Sequence, residues 1–198
     1  MCWHLTSKGL LAKLKQADYA LSQLEKCTKE VADDVSIKDS FPIKDKVQFF
    51  SDSFWAFLRA SLDVLAQIIN QTNKLGLDEK DTSFNQVVQK QTNKQRASPL
   101  TAQLNKLKGS TYFKNADRYR NCSLHRRQIY LEKRVTEIEP TNGYSISGPL
   151  RTSSWLICDN PLVVRPKTEQ GRDLSSYCKK CKVRIEESTN RIVKLLIQ

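Results

Sequence analysis

The segment Arg120-Asn121-Cys122-Ser123-Leu124-His125 places a permanent cation and a titratable imidazole five positions apart. An arginine grips a phosphate through two parallel hydrogen bonds and stays charged at any physiological pH. A histidine gives or takes a proton near pH 7 without further tuning. Together these capacities suffice to break a phosphodiester with no metal ion or other cofactor. The chain has only two histidines, His4 and His125, so the pairing does not follow from histidine abundance. Taken alone, the six residues also fit a solvated, arginine-rich helix face.

The charge around the segment favours a polyanionic partner. Residues 1–98 hold 14 Lys and Arg against 12 Asp and Glu, whereas residues 99–198 hold 19 against 9. Within 104–134 there are nine basic residues against Asp117 and Glu132. Such one-sidedness is the footprint of a nucleic-acid binder, and it coincides with the Arg/His pair.

Other chemistries lack support. The six glycines are dispersed, so there is no phosphate-cradling loop, and no HExxH pattern or paired-carboxylate cluster is present. Cys178 and Cys181 form the one CxxC, but a four-ligand zinc site needs a second pair. Ordinary packing on one side of a helix is expected for both. No run of about 18 apolar residues exists, so no membrane span is expected. The N-terminus lacks a secretory signal pattern, and a cytoplasmic location is expected.

The elements that must position the segment are helical. Leu10, Leu14, Ala17, Leu21 and Leu24 recur at helical spacing within 7–33. Residues 43–75 carry a broad apolar stripe that includes Phe54, Trp55, Leu58, Leu62 and Leu65, with Gly76 as a C-cap. Arg59 and Asp63 stand one turn apart there as an intrahelical pair. A shorter helix is predicted over 82–93, and another from the Ser98-Pro99 cap to Gly109. A further helix is predicted from Ser110 or Thr111 to about 136, carrying the Arg/His segment. From 140 to 170 prolines and short β-prone runs predict a loop or hairpin, and 172–197 returns to helix. The fold class is therefore all-α: a bundle in a single domain over 1–198 with an irregular insertion before the last helix.

On a helix, Arg118, Asn121 and His125 share a face, while Arg120 is rotated about 140° from His125 at 100° per residue. One helix does not bring Arg120 and His125 tightly together. Two copies packed about a two-fold axis would gather two arginines and two histidines around one cleft.

The stretch Tyr119-Arg-Asn-Cys-Ser-Leu-His125-Arg resembles the Arg-x(4–6)-His signature of the HEPN superfamily, including the polar residue after the arginine. The long helix containing Ser61-Leu-Asp63 and the closing helix are similar to HEPN bundles. The resemblance implies four to six helices in an up-and-down bundle that dimerises through the motif helix and, in many members, metal-independent RNA cleavage in a toxin or antiviral role. It also implies that Arg120 and His125 are the catalytic pair, with Asn121 in support.

The corresponding chemistry is attack of a ribose 2′-hydroxyl on the adjacent phosphorus, giving a 2′,3′-cyclic phosphate and a 5′-hydroxyl. Arg118, Arg126, Arg127 and Lys114 would meet the RNA backbone, and Tyr119 would stack on an unpaired base. An antitoxin or regulatory protein is a further expected partner. The alternative is a non-catalytic HEPN-like module that binds RNA, nucleotide or a protein.

Overall fold

The computed structural model describes residues 2–33, 40–125, 131–138, 150–158 and 171–197. Among them, α1 (Cys2–Asp33) and α2 (Ser40–Thr72) are the longest elements. At about 1.5 Å per residue each runs roughly 50 Å, so together they set the length of the bundle. They pack antiparallel: Gly9 faces Val64, while Lys13 lies over the ring of Phe57 at 5.6 Å. Leu10, Leu14, Ala17, Leu21 and Leu24 of α1 are buried against Phe54, Leu58, Leu62 and Leu65 of α2 in one cluster.

The chain leaves α2 through Lys74 (φ 48) and Gly76 (φ 71), both in the left-handed region. Glycine enters that region without steric cost, which is why the helix signal stops there. Asn70 ties the turn down by accepting from Leu77 N–H and donating back to Leu77 C=O.

Helix α3 (Phe84–Lys94) opens on a capping box, with Ser83 and Gln86 satisfying each other's backbone N–H groups. Helix α4 (Pro99–Gly109) starts from the Ser98 cap with proline in its first turn. The Ser110 hydroxyl then accepts from Phe113 N–H as α5 (Thr111–His125) begins.

The predicted continuation of α5 to 136 is not what forms: residues Leu131–Ile138 are strand β1. Leu131 pairs with Ile157 and Ile138 with Leu150 of β2 (Leu150–Cys158), antiparallel. The 131–138 segment mixes Val135, Thr136 and Ile138 with charged residues, so its local preference is weak. Cross-strand pairing then outweighs helix propensity. Strand β3 (Gly171–Asp173) adds to the other edge of β2. A Cβ at Gly171 would meet the Leu156 side chain at 2.9 Å, so only glycine lets the strands approach there.

Of the three strands, which form an antiparallel sheet in the order β1-β2-β3, only β2 lies within the predicted 140–170 loop or hairpin. The β-prone runs at 144–146 and 162–164 lie outside the described residues. Trp155 and Ile157 turn into the core, and α6 (Leu174–Ile197) closes the bundle. Asp173 accepts from Ser176 N–H at its start, and Lys182 bridges to Asp18 of α1 at 2.7 Å. The protein is an all-α bundle, the class the sequence predicts, with a small sheet before its last helix.

Candidate RNA-cleaving site on helix α5

Three contacts fix the register of α5 on α2. Arg59 meets Asp117, Trp55 stacks on Tyr119 with centroids 4.6 Å apart, and Ser123 lies beside Asp52. Descending numbers on α2 meet ascending numbers on α5, so the helices run antiparallel. The last turn of α5 therefore lies toward the N-terminal half of α2, beside Asp52 and Gln48.

Core residues at three- and four-residue steps decide which face of α5 is left outside. Phe113, Ala116, Tyr119 and Cys122 are buried. Asn115 is also buried, and its amide donates to the Tyr177 hydroxyl of α6. The expectation that Tyr119 stacks on a base is corrected by this packing. Its ring is fully buried between Trp55 and Tyr177, with no face left for a base. An aromatic residue adds up to 1.5 kcal/mol of specific pairing energy beyond its burial, so the core is the favourable place for it (about that size).

Lys114 and Arg118 are exposed on the opposite side, at positions suited to backbone phosphates. Arg120 and Asn121 are half-buried. Arg120 Nη1 donates to Asn121 Oδ1 at 2.9 Å, and Asn121 Nδ2 reaches Asp117 Oδ2 at 3.4 Å. A guanidinium only donates and a carboxylate only accepts, so the two neighbours leave the Asn121 amide one orientation. Among the described residues, Arg120 Nε and Nη2 have no acceptor, and no carboxylate pairs with this cation. Those donors are the ones a phosphate oxygen would take.

His125 is the final residue of α5, one turn after Asn121. Its side chain, and the whole of Arg126 and Arg127, lie outside the described residues. The structure thus brings Arg120, Asn121 and the acid Asp117 into one connected set.

Two partners on α2 were not marked by the sequence as part of this set. The predicted Arg59–Asp63 pair is present at 2.5 Å, but Arg59 Nε also donates to Asp117 Oδ1 at 2.9 Å. Asp52 accepts from Gln48 Nε2 at 3.0 Å. Burial pushes its carboxyl above the usual 3.8, against the hydrogen bonds from Gln48 and Ser123 that lower it. Asp52 carries no sequence signal, and Arg59 showed only its pairing with Asp63; both are joined to α5 only when the helices dock.

The CxxC cysteines pack as expected. Cys178 and Cys181 are buried on α6, and burial raises the Cys178 thiol well above its ordinary value. Among the described residues, no group of three or more His, Cys, Asp or Glu side chains is placed to hold a metal. A groove of about 390 Å³ between α1 and α2 is lined by Tyr19, Phe49, Phe50 and Phe57 with Lys15 and Gln16 at its border. It brings no acid–base pair together and is not this site. No described helix is long and apolar enough to cross a membrane.

Neither a curated protein nor a solved structure matches the chain. Residues 3–151 match the family of Cthe2314-like HEPN domains, a span that includes α1 to α5, β1 and the whole Arg/His segment. With most of its length matched, the chain belongs to the HEPN superfamily.

Proposed function

We propose that this protein is a metal-independent endoribonuclease of the HEPN type, acting as a toxin or antiviral effector in the cytoplasm. The observation that carries this reading is the state of Arg120. It is a half-buried cation held by a neutral amide rather than by an acid, one turn before the helix ends at His125.

In this reaction the ribose 2′-oxygen attacks the adjacent phosphorus and the bond to the 5′-oxygen breaks. Arg120 offsets the charge growing on the phosphoryl oxygens, a contribution of roughly 3 kcal/mol for a well-placed donor. His125, from one or both subunits, removes the 2′-proton or supplies one to the leaving 5′-oxygen, which is worth about 10² to 10⁴ in rate. Lys114, Arg118, Arg126 and Arg127 hold the backbone without reading sequence, so affinity falls steeply with salt. The roughly 140° between positions 120 and 125 on one helix supports a two-fold dimer that completes each cleft from both copies. An antitoxin or regulatory protein would act by covering this face.

The test is incubation of the purified protein with labelled single-stranded RNA in EDTA. Products ending in 2′,3′-cyclic phosphate are expected, and His125→Ala should abolish them while melting temperature and oligomeric state stay unchanged. RNA binding without turnover across varied sequences would instead establish a non-catalytic module. In cells, expression should arrest growth, and Arg120→Ala should relieve the arrest.

A further inference from the structure

Asp117 and Arg120 stand three residues apart on α5, the spacing at which an acid and a base on one helix normally pair. They do not pair here. Asp117 Oδ1 is taken by Arg59 Nε from α2 at 2.9 Å, and Oδ2 faces the Asn121 amide at 3.4 Å. Arg120 turns to the neutral oxygen of Asn121 instead.

Arg59 is strongly committed to this arrangement. Its side chain is 8% exposed, its guanidinium lies 5.5 Å from the Phe113 ring, and its second acid is Asp63. A cation taken out of water holds its carboxylates tightly, because leaving it unpaired in a low-dielectric site is strongly unfavourable. A buried ion pair is nevertheless a poor way to join two helices, since apolar residues of similar volume do so as well or better. The charges at this point of the α2–α5 seam therefore call for a local use.

We infer that Arg59 is a positioning residue that sequesters Asp117 and thereby keeps the Arg120 guanidinium available to the scissile phosphate. This rests on the ribonuclease reading above. Without Arg59, Asp117 is left with the cations of its own helix, Arg120 at i+3 and Lys114 at i−3, and a pair with Arg120, already joined to it through Asn121, would neutralise the charge that the reaction needs.

Rescue separates this role from simple support of the fold. Arg59→Gln should lower kcat/KM on a single-stranded RNA by about 10- to 100-fold, the scale of losing a charge aimed at the transition state. Adding Asp117→Asn to the same chain should recover most of that loss, because no carboxylate remains to capture Arg120. A double variant no more active than Arg59→Gln overturns the inference. Should Arg59→Gln not fold, Arg59→Lys keeps a cation but not the two-armed fork. It should show a smaller loss, again reversed by Asp117→Asn.

A second readout needs no turnover. A crystal structure of Arg59→Gln with the Arg120 guanidinium on Asp117 supports the inference, and one with Arg120 still on Asn121 overturns it. If the wild-type protein cleaves no RNA, the ribonuclease reading fails, while this geometric readout still decides whether Arg59 keeps Asp117 from Arg120.

Discussion

Helices α2 and α5 meet through two kinds of contact within one turn of each other. Trp55 and Tyr119 form a fully buried aromatic stack joined by Phe54 and Tyr177. Beside it, Arg59, Asp63, Asp117, Asn121 and Arg120 form a polar seam that runs out toward solvent. The aromatic region is non-directional and gains free energy from removing apolar area from water. The polar region is directional and close to neutral in stability, yet it dictates which atom each guanidinium faces. One region holds the helices together, and the other aims a cation.

The comparison breaks first, and by the largest amount, at Trp55. Trp55→Ala should cost about 3–5 kcal/mol, read by urea denaturation, because it leaves a cavity under Tyr119. Cleavage measured on the remaining folded fraction should be close to wild type. A specific activity that collapses while the fold holds would place catalysis in the aromatic region instead.

Tyr119→Ala sharpens the same point at somewhat smaller size, about 3 kcal/mol of stability. Its RNA affinity, measured by anisotropy below the melting range, should stay near wild type, since the ring has no exposed face. An affinity loss specific to unpaired bases would restore Tyr119 as a stacking residue.

Arg118 should behave in the opposite way. Arg118→Ala sits on the exposed face and should change stability by no more than about 0.5 kcal/mol. It should weaken RNA binding uniformly across sequences and reduce the slope of log affinity against log salt by about 0.7. An unchanged salt dependence would remove the outer face of α5 from the RNA path.

The smallest effect concerns Asp52, at the end of the seam nearest His125. Burial raises its pKa in the fold above 3.8, so the protonated form is favoured more in the folded than in the unfolded chain. The linked stability is present at low pH and is lost as pH rises through the folded value. Asp52→Asn should therefore gain melting temperature relative to wild type between pH 4 and pH 7, by on the order of 1–2 °C. A difference that does not grow with pH would show that the carboxyl is fully solvated.

The helical elements were legible because their apolar residues repeat at three- and four-residue steps. The caps at Ser98-Pro99 and Gly76 were legible too, because those residues perform backbone tasks with few substitutes. The end of α5 was not. Residues 126–136 read as a charged helix, and only a partner strand some twenty residues further on turns Leu131–Ile138 into β-structure. Tyr119 misled for a related reason. A tyrosine in a basic stretch looks the same in sequence whether its ring faces RNA or Trp55, and the rotation of α5 on α2 decides which.

The Arg120-Asn121-x-x-x-His125 spacing, the asymmetric charge and the all-α class are properties of neighbouring residues, so the chain alone determined them. The link from Arg59 across to Asp117 joins residues 58 positions apart and is created only when two helices dock. Whether an arginine is a phosphate ligand or half of a salt bridge depends on which acid lies within about 4 Å. That proximity is decided by tertiary packing.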